Sequence, residues 1–302
     1  MHWLFEPGLF SNHTVRTALI VGLIVAIVSA VVGVFTVLRG QSFAGHALTD
    51  VATAGGAGAF LAGVAPIFGF VGGGVLGAGA MDAIGVQRVK GRDIATGVVL
   101  GAATGLSALF LYLSATSSAS TGATQLILFG SIFTVEPSTL PEVAILSCVV
   151  LLTIAVIARP LLLSSLSIEL AAARGVRVRV VGLLFMVTLA VSVGLSAIVI
   201  GSILSTALLI GPPASALKVV NRFWFGAAIA VVLGIGATWA GIIFAYDSYY
   251  WIPSHRGLPV SFFVVAFVVV EFAFFSVVRR RRGGRPATAI EDSSHHVETQ
   301  WH

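Results

Sequence analysis

A histidine and an aspartate four residues apart are the best-placed metal ligands in this sequence. His46 and Asp50 lie in the stretch LRGQSFAGHALTDVATAGGAG, between the first long apolar run and the second. On a helix, positions i and i+4 share a face, so one imidazole and one carboxylate would point at the same spot. Imidazole suits zinc and related metals, and a carboxylate suits manganese and zinc. The pair predicts a divalent-cation site, and its alternative is an N-terminal helical turn with polar packing.

The composition is that of a membrane protein with many spans. The chain has 302 residues, of which 57% are hydrophobic and only 10% charged, and its mean hydropathy is +1.03. Soluble domains carry about 25% charged residues. The single cysteine, Cys148, excludes an intramolecular disulfide. The net charge of +5 comes from basic residues at the ends of apolar runs, which indicates topology rather than nucleic-acid binding.

Nine apolar stretches approach the length of about 20 residues that a spanning helix needs. They lie at about 15–38, 44–64, 66–86, 94–114, 142–162, 180–200, 201–217, 224–245 and 259–278. The sixth and seventh meet at Gly201 with almost no loop, so one of that pair is expected to be short or broken. The sequence therefore predicts an all-α polytopic membrane protein with 8–9 transmembrane helices.

The basic residues predict the orientation of the chain. If all nine candidates cross the membrane, all but Arg16 and Arg256 of the 17 Lys and Arg residues fall on one side. Cytoplasmic loops carry this excess, so we expect the N-terminus outside and the C-terminus in the cytoplasm. This divides the chain into a short extracytoplasmic segment at 1–14, a transmembrane domain at 15–280 and a disordered cytoplasmic tail at 281–302.

Two further segments carry local signals. The apolar stretch at 123–135 is too short to span and is expected to be re-entrant or interfacial. Pro212 and Pro213 are expected to end or kink the seventh span. Three hydroxyl residues nearby are expected to satisfy the backbone groups freed there, namely Ser202, Ser205 and Thr206.

A polar stretch at about 163–179 separates two apolar runs on the predicted cytoplasmic side. Glu169 suits the first turn of a helix, and Gly175 can end that helix after Arg174. Three serines can cap its start: Ser164, Ser165 and Ser167. A short amphipathic helix held in a cytoplasmic loop is a candidate docking element, and the alternative is a solvated loop.

Three stretches, in order along about residues 15–280, resemble the permease subunits of ATP-binding-cassette importers for zinc, manganese and chelated iron. VLRGQSFAGHALTDVATAGGAGAFLAG resembles the family signature near the second helix, and LLLSSLSIELAAARGVRVR resembles the loop that docks on the ATPase. IGSILSTALLIGPPASALKVVNRF resembles a late short helix with a proline near its end. The family commonly reads Gly-Asp-Ala-Leu-Ser-His where this chain reads Gly-His-Ala-Leu-Thr-Asp at 45–50, so the two ligand types are exchanged but their spacing survives.

The resemblance implies a division of labour in the cytoplasmic (inner) membrane of a prokaryote. The permease would be a homodimer that performs no chemistry and holds no permanent cofactor. Each copy would dock on a cytoplasmic ATPase, and an extracytoplasmic binding protein would deliver the metal. The sequence contains no G-x-x-x-x-G-K-[ST] motif, so ATP would bind the partner chain. The docking loop would include Ser167, Glu169, Ala172, Arg174 and Gly175.

Charged residues inside apolar runs are functional candidates by default. Asp82 lies near the predicted cytoplasmic end of the third span, where pairing with Arg88 or reaching the interface is the simpler expectation. Glu271 lies midway along the ninth span. A pairing or protonated structural role is favoured for Glu271 over a place on the metal path.

Two candidates lie on the predicted outer loop. Asp247 and His255 stand near a cluster of aromatic residues and would receive metal or contact the binding protein. The alternative is an interfacial aromatic belt, formed by Tyr249, Tyr250 and Trp251.

The predicted function is import of zinc or manganese, with a slight preference for zinc because of the imidazole. Import of a metal chelate is the first alternative and would need a wider, apolar-lined path. A secondary transporter or channel without an ATPase is the second, but no inverted repeat is evident. A membrane-embedded enzyme would need a catalytic set such as His-Glu-x-x-His, which the sequence lacks.

Overall fold

The computed structural model describes residues 12–84, 92–116, 127–130, 132–134, 137–220, 222–251 and 257–281. Ten complete helices follow one another in this part of the chain: α1 (His13–Leu38), α2 (Ser42–Leu61), α3 (Pro66–Ile84), α4 (Arg92–Thr116), α5 (Leu140–Leu166), α6 (Ile168–Ala173), α7 (Val178–Ile200), α8 (Ser202–Val219), α9 (Phe223–Trp251) and α10 (Val260–Arg281). Two short 3-10 turns, Ile132–Thr134 and Pro137–Thr139, precede α5. The described residues contain no strand, which confirms the predicted all-α class.

Each of the nine predicted spans is a helix. Seven of the helices in the described part are long and apolar enough to cross a membrane: α1, α3, α4, α5, α7, α9 and α10. The other two are α2, whose polar residues and glycines lower its hydropathy, and α8, which has 18 residues. The predicted count of 8–9 spans therefore approximately fits the seven helices of the described part that are long and apolar enough to cross a membrane. Of the predicted tail at 281–302, only Arg281 lies within the described residues.

Helix α1 runs antiparallel to α7 through the interior. Ser29 in α1 lies 2.6 Å from Ser196 in α7, Oγ to Oγ. At the other end of the contact, the Arg39 guanidinium lies 5.6 Å from the centre of the Phe185 ring. As the residue number falls along α1 it rises along α7, so these two contacts set the relative depth of the two helices.

The turn between α7 and α8 is buried inside the bundle. Gly201 has φ +96°, a conformation that favours glycine, and a side chain there would overlap the Leu128 carbonyl oxygen. Ser29 lies about 24 Å from the start of α1 at 1.5 Å per residue. Gly201 lies only about 7 Å beyond Ser196, so α1 continues well past the turn. The expectation of a short or broken helix at Gly201 agrees with this geometry, because α8 begins at mid-depth.

The two prolines do not end α8, which continues to Val219. Pro213 has no N–H, so the helix cannot satisfy the Leu209 carbonyl in the usual way. That carbonyl faces Gly33 of α1, where any side chain would overlap it and also approach Pro213. Close packing of α1 on α8 at this level therefore requires a glycine.

Candidate cation-binding site and docking helix

The side chain of His46 points from α2 toward α8. Its Nδ1 lies 3.1 Å from the Thr206 Oγ1, and the ring is only partly buried. Thr206 was expected to satisfy freed backbone groups, but its hydroxyl contacts His46 and lies 3.5 Å from the Thr49 hydroxyl. The contact spans 160 positions of sequence, so local spacing gave no signal for it.

Asp50 points toward a different neighbour. Its Oδ2 accepts a hydrogen bond of 2.7 Å from the Thr104 hydroxyl in α4, and the Ser107 hydroxyl donates to the Asp50 carbonyl at 3.2 Å. Asp50 is partly buried, and Thr104 is exposed on the surface of the bundle. The two ligand-type side chains of α2 are therefore held by separate helices, α8 for the imidazole and α4 for the carboxylate.

The pair can hold a cation only loosely. Among the described residues, no three His, Cys, Asp or Glu side chains converge on one point. Structural zinc sites use four protein ligands and catalytic ones three. An imidazole and a carboxylate leave most coordination positions to water, and such a site exchanges its ion readily. Weak, exchangeable binding is what conduction of an ion requires.

The pair lies in one half of the bundle. His46 is about 6 Å and Asp50 about 12 Å along the helix axis from Ser42, where α2 begins. Arg39, just before α2, donates hydrogen bonds of 3.1 and 3.3 Å to Ser164 and Ser165 at the end of α5. The candidate cation site is therefore closer to the end of the bundle that carries α6 than to the opposite end.

Helix α6 forms within the predicted docking loop. The Ser167 Oγ accepts from the Leu170 N–H at 3.1 Å, so Ser167 is the serine that caps the helix. Glu169 lies in the first turn, and Gly175 has φ +77° just after Arg174, the C-cap. Ala172 is exposed, as are Glu169 and Arg174. Helix α5 continues to Leu166, so the loop is shorter than predicted.

Three exposed apolar side chains lie in α6 or just before it, and their exposure was not predicted from the sequence. Leu166, Ile168 and Leu170 are 85%, 53% and 48% exposed. Ala171, directly after Leu170, is buried and fixes α6 to the bundle. An apolar patch beside charged residues at the end of a membrane bundle is typical of a protein interface. The hydrophobic residues that flank the capping serine were the available sequence signal.

The remaining charged candidates are dispersed. Asp82 lies 3.8 Å from the Nε of Arg179, whose side chain is 84% exposed, so this ion pair contributes little stability. The partner expected for Asp82, Arg88, is outside the described residues. Glu271 is partly buried in α10, and its Oε2 has no hydrogen-bond partner among the described residues. It lies on a different helix from the α2 pair.

The expectation that Asp247 lies on an outer loop is wrong. Asp247 is fully buried in the last turns of α9, which continues to Trp251. A buried Asp247 is not placed to receive metal from solvent. His255 lies outside the described residues.

Comparisons with known proteins agree on one kind of protein. The sequence model of the ABC 3 transport family matches residues 11–274. The manganese import system permease protein ScaB of Streptococcus parasanguinis is 31% identical over 245 residues, which cover 80% of this chain and 85% of ScaB. A probable iron transport system membrane protein of Haemophilus influenzae is 27% identical, covering 91% of this chain and 98% of that protein.

A solved structure matches over nearly the whole fold. PsaBC from Streptococcus pneumoniae, in complex with Fab, superposes with a TM-score of 0.76 at 26% identity, covering 89% of this chain and 92% of that one. The family match spans more than half of the chain and includes the α2 pair and α6. This chain is a multi-pass membrane permease and belongs to the ABC 3 transport family.

Proposed function

We propose that this chain is the permease subunit of an ATP-driven importer that passes a divalent transition metal ion, manganese or zinc, into the cytoplasm. The observation that carries the proposal is the His46–Asp50 pair of α2, whose imidazole contacts α8 and whose carboxylate contacts α4, in the half of the bundle that bears α6. An extracytoplasmic binding protein would deliver the ion. The N-terminus would lie outside, and the C-terminus in the cytoplasm of a prokaryotic cell.

Manganese is favoured over zinc as the cargo. The imidazole of the pair suits zinc slightly better, but manganese also accepts an imidazole with a carboxylate, and affinity order does not decide selectivity in cells. ScaB, the relative at 31% identity, is a manganese import permease. The exchange of the two ligand types at 46 and 50 keeps both donor atoms and therefore does not oppose either metal.

The energy would come from an ATPase on a separate chain. The apolar patch at Leu166, Ile168 and Leu170 offers that partner about one helical turn of buried contact. Charged residues at Glu169 and Arg174 border the patch and would fix its register. The permease itself would hold no cofactor and perform no chemistry on the ion.

Two copies would form the transporter. Asp50 and Thr104 meet on the surface of α4 near its centre, where a carboxylate facing lipid is costly. Gly101 and Gly105 lie beside Thr104, and a Cβ atom added at either glycine would have no neighbouring atom within 4 Å. Small residues on one face allow close approach of another helix. A second copy at this face would remove the carboxylate from lipid and place two ligand pairs along one path.

The test is metal accumulation in cells that express this chain with its candidate ATPase and binding protein. Zinc, manganese and iron are measured together by mass spectrometry at limiting metal. His46→Ala and Asp50→Asn are each expected to lower uptake of one metal by more than about tenfold, the scale seen when even an outer partner of a ligand is lost. His13→Ala, an exposed histidine at the start of α1, is the matched control.

The alternatives predict different results. Unchanged uptake in both variants at equal membrane expression would assign the α2 pair a structural role. Accumulation of iron only when a chelator is supplied would favour the chelate importer. Uptake that continues without any ATPase would favour a secondary transporter.

A further inference from the structure

We propose that Thr206 and Thr49 act as positioning residues that hold the neutral His46 ring with its proton on Nδ1, leaving the Nε2 lone pair for the metal ion. The inference deepens the proposed function and rests on it, since it assumes that His46 contacts the ion. It concerns a chain of hydroxyl groups between α2 and α8.

The hydrogen-bond chain has one end that can only accept. The Thr49 hydroxyl donates to the Gly45 carbonyl at 3.0 Å, and Thr49 is fully buried. A carbonyl oxygen carries no proton, so in this bond the Thr49 hydroxyl must be the donor. The Thr49 oxygen then has only lone pairs to offer. The Thr206 oxygen lies 3.5 Å away and can donate its proton to Thr49.

The direction of the Thr206 hydroxyl determines the tautomer of His46. Once the Thr206 proton points to Thr49, the Thr206 oxygen faces the His46 Nδ1 with a lone pair at 3.1 Å. The bond then requires a proton on Nδ1, and the neutral ring carries only one. The opposite direction, with Thr206 donating to Nδ1, would either leave two oxygen lone pairs facing each other between Thr206 and Thr49 or take the Thr49 proton away from the Gly45 carbonyl. The first arrangement makes three hydrogen bonds and the second only two.

The chain of hydroxyls has a consequence for metal binding. Metal-ligating histidines commonly donate their other ring N–H to a fixed acceptor, which sets the tautomer and the ring orientation. Here the acceptor belongs to α8 and the ring to α2, so the arrangement exists only where the two helices are packed as described. The long bond between Thr206 and Thr49 is its weakest step, and both residues therefore enter the test.

The first experiment observes the tautomer directly. The full chain is labelled with ¹⁵N-histidine and placed metal-free in lipid nanodiscs, and the His46 signals are assigned by their loss in His46→Gln. The ¹⁵N shifts separate protonated from unprotonated ring nitrogens. We expect an unprotonated Nε2, a shift toward an Nε2–H ring in Thr206→Val and in Thr49→Val, and recovery in Thr206→Ser. An Nε2–H ring in the unsubstituted protein would overturn the proposal.

The second experiment measures manganese and zinc uptake. Thr206→Val is expected to raise the apparent KM by about 10- to 100-fold, as loss of a partner of a metal ligand does, and Thr206→Ser to stay near the original. Thr53→Val is the matched control, because the buried Thr53 hydroxyl donates within α2 to the Thr49 carbonyl at 2.7 Å and does not contact His46. A thermal melt of each variant confirms folding.

The two readouts separate the two claims. If the tautomer changes in Thr206→Val but the KM does not, the positioning role in metal binding is overturned. If the unsubstituted chain takes up no metal, the proposed function fails, and the ¹⁵N result still decides whether the hydroxyl chain sets the tautomer.

Discussion

The histidine and the aspartate of α2 share a face, yet each is anchored to a different neighbour. His46 contacts Thr206 and Asp50 contacts Thr104, so α8 holds the imidazole and α4 holds the carboxylate. A cation bound by the pair would be held by one nitrogen and one carboxylate. A relative movement of α4 and α8 would change the separation of the two donors, which provides a physical route for releasing the ion.

Gly33 tests the close contact between α1 and α8. A methyl group there would overlap the Leu209 carbonyl and approach Pro213. We expect Gly33→Ala to lower the free energy of unfolding by about 1–3 kcal/mol, the usual cost of overpacking. The measurement is thermal unfolding of the purified protein in lipid.

The control for Gly33 is a helical glycine in open space. A Cβ atom added at Gly79 of α3 would have no neighbouring atom within 4 Å. Gly79→Ala is expected to raise stability by about 0.5–1 kcal/mol, the typical gain from replacing glycine in a helix. Equal effects of the two substitutions would show that the contact with Leu209 is not tight.

At the scale of the elements, Arg39 connects the candidate cation site to α6. It directly precedes the turn into α2, its guanidinium donates to Ser164 and Ser165, and it also lies over the buried Phe185 ring. Ser164 and Ser165 lie just before Ser167, which caps α6. A displacement of α6 by a bound ATPase would therefore reach the start of α2 through a single side chain.

Arg39→Gln should separate ATP hydrolysis from transport. In the assembled transporter we expect ATP hydrolysis to persist while ions moved per ATP fall by about fivefold or more, within the usual range of coupling free energies. Arg39→Lys should recover little, because a compact ammonium group cannot stack on the Phe185 ring as the planar guanidinium does while also donating to both serines. The measurement is ATP hydrolysis and metal uptake in the same proteoliposomes. Arg280→Gln, an exposed charge at the end of α10, should change neither, and parallel loss of both activities in Arg39→Gln would indicate misfolding instead.

The apolar patch at α6 is expected to carry the affinity for the ATPase. Ile168→Ser combined with Leu170→Ser should weaken binding of the purified ATPase by about tenfold or more, because each removed side chain contributes about 1.5–3 kcal/mol when it is fully buried. Leu61→Ser, an exposed leucine at the far end of α2, is the matched control. Unchanged binding of the double variant would place the docking surface elsewhere.

Apolar runs and helix-capping residues predicted most of these helices. The contacts between the helices join residues far apart in the sequence, and local signals did not predict them. Each span is recognisable because lipid demands a continuous apolar stretch, and the cap at Ser167 and the stop at Gly175 are local signals. The prediction that Asp247 lies in a loop failed because the hydropathy of the sequence falls several residues before the helix ends. Thr206 and Thr104 were not predictable as partners, because the contacts depend on how α8 and α4 pack on α2.

At the scale of the whole molecule, an exposed groove remains between α2, α3 and α4. It has a volume of about 450 Å³ and an apolar, glycine-rich lining, with Gly55, Gly73 and Gly77 among its residues. Asp50 and Thr104 lie beside it on the same side of the bundle. An isolated copy would therefore expose a polar contact to lipid near the centre of α4. The proposed pairing of two copies through α4 would remove this cost without any change in the fold.

Cysteine cross-linking tests this pairing. The only native cysteine, Cys148, is exposed on α5 and is first replaced by serine. Gly101→Cys and Ala102→Cys then place single thiols on the exposed face of α4, and a disulfide needs Cα atoms within about 4.4–6.8 Å. If α4 faces its copy, oxidation in native membranes should give a product of twice the chain mass of 31.2 kDa from at least one of them. Leu152 lies on α5 and is 67% exposed, and the Leu152→Cys variant should stay monomeric. Cross-linking through Leu152→Cys but neither α4 position would move the interface to α5 and leave Asp50 to be shielded in another way.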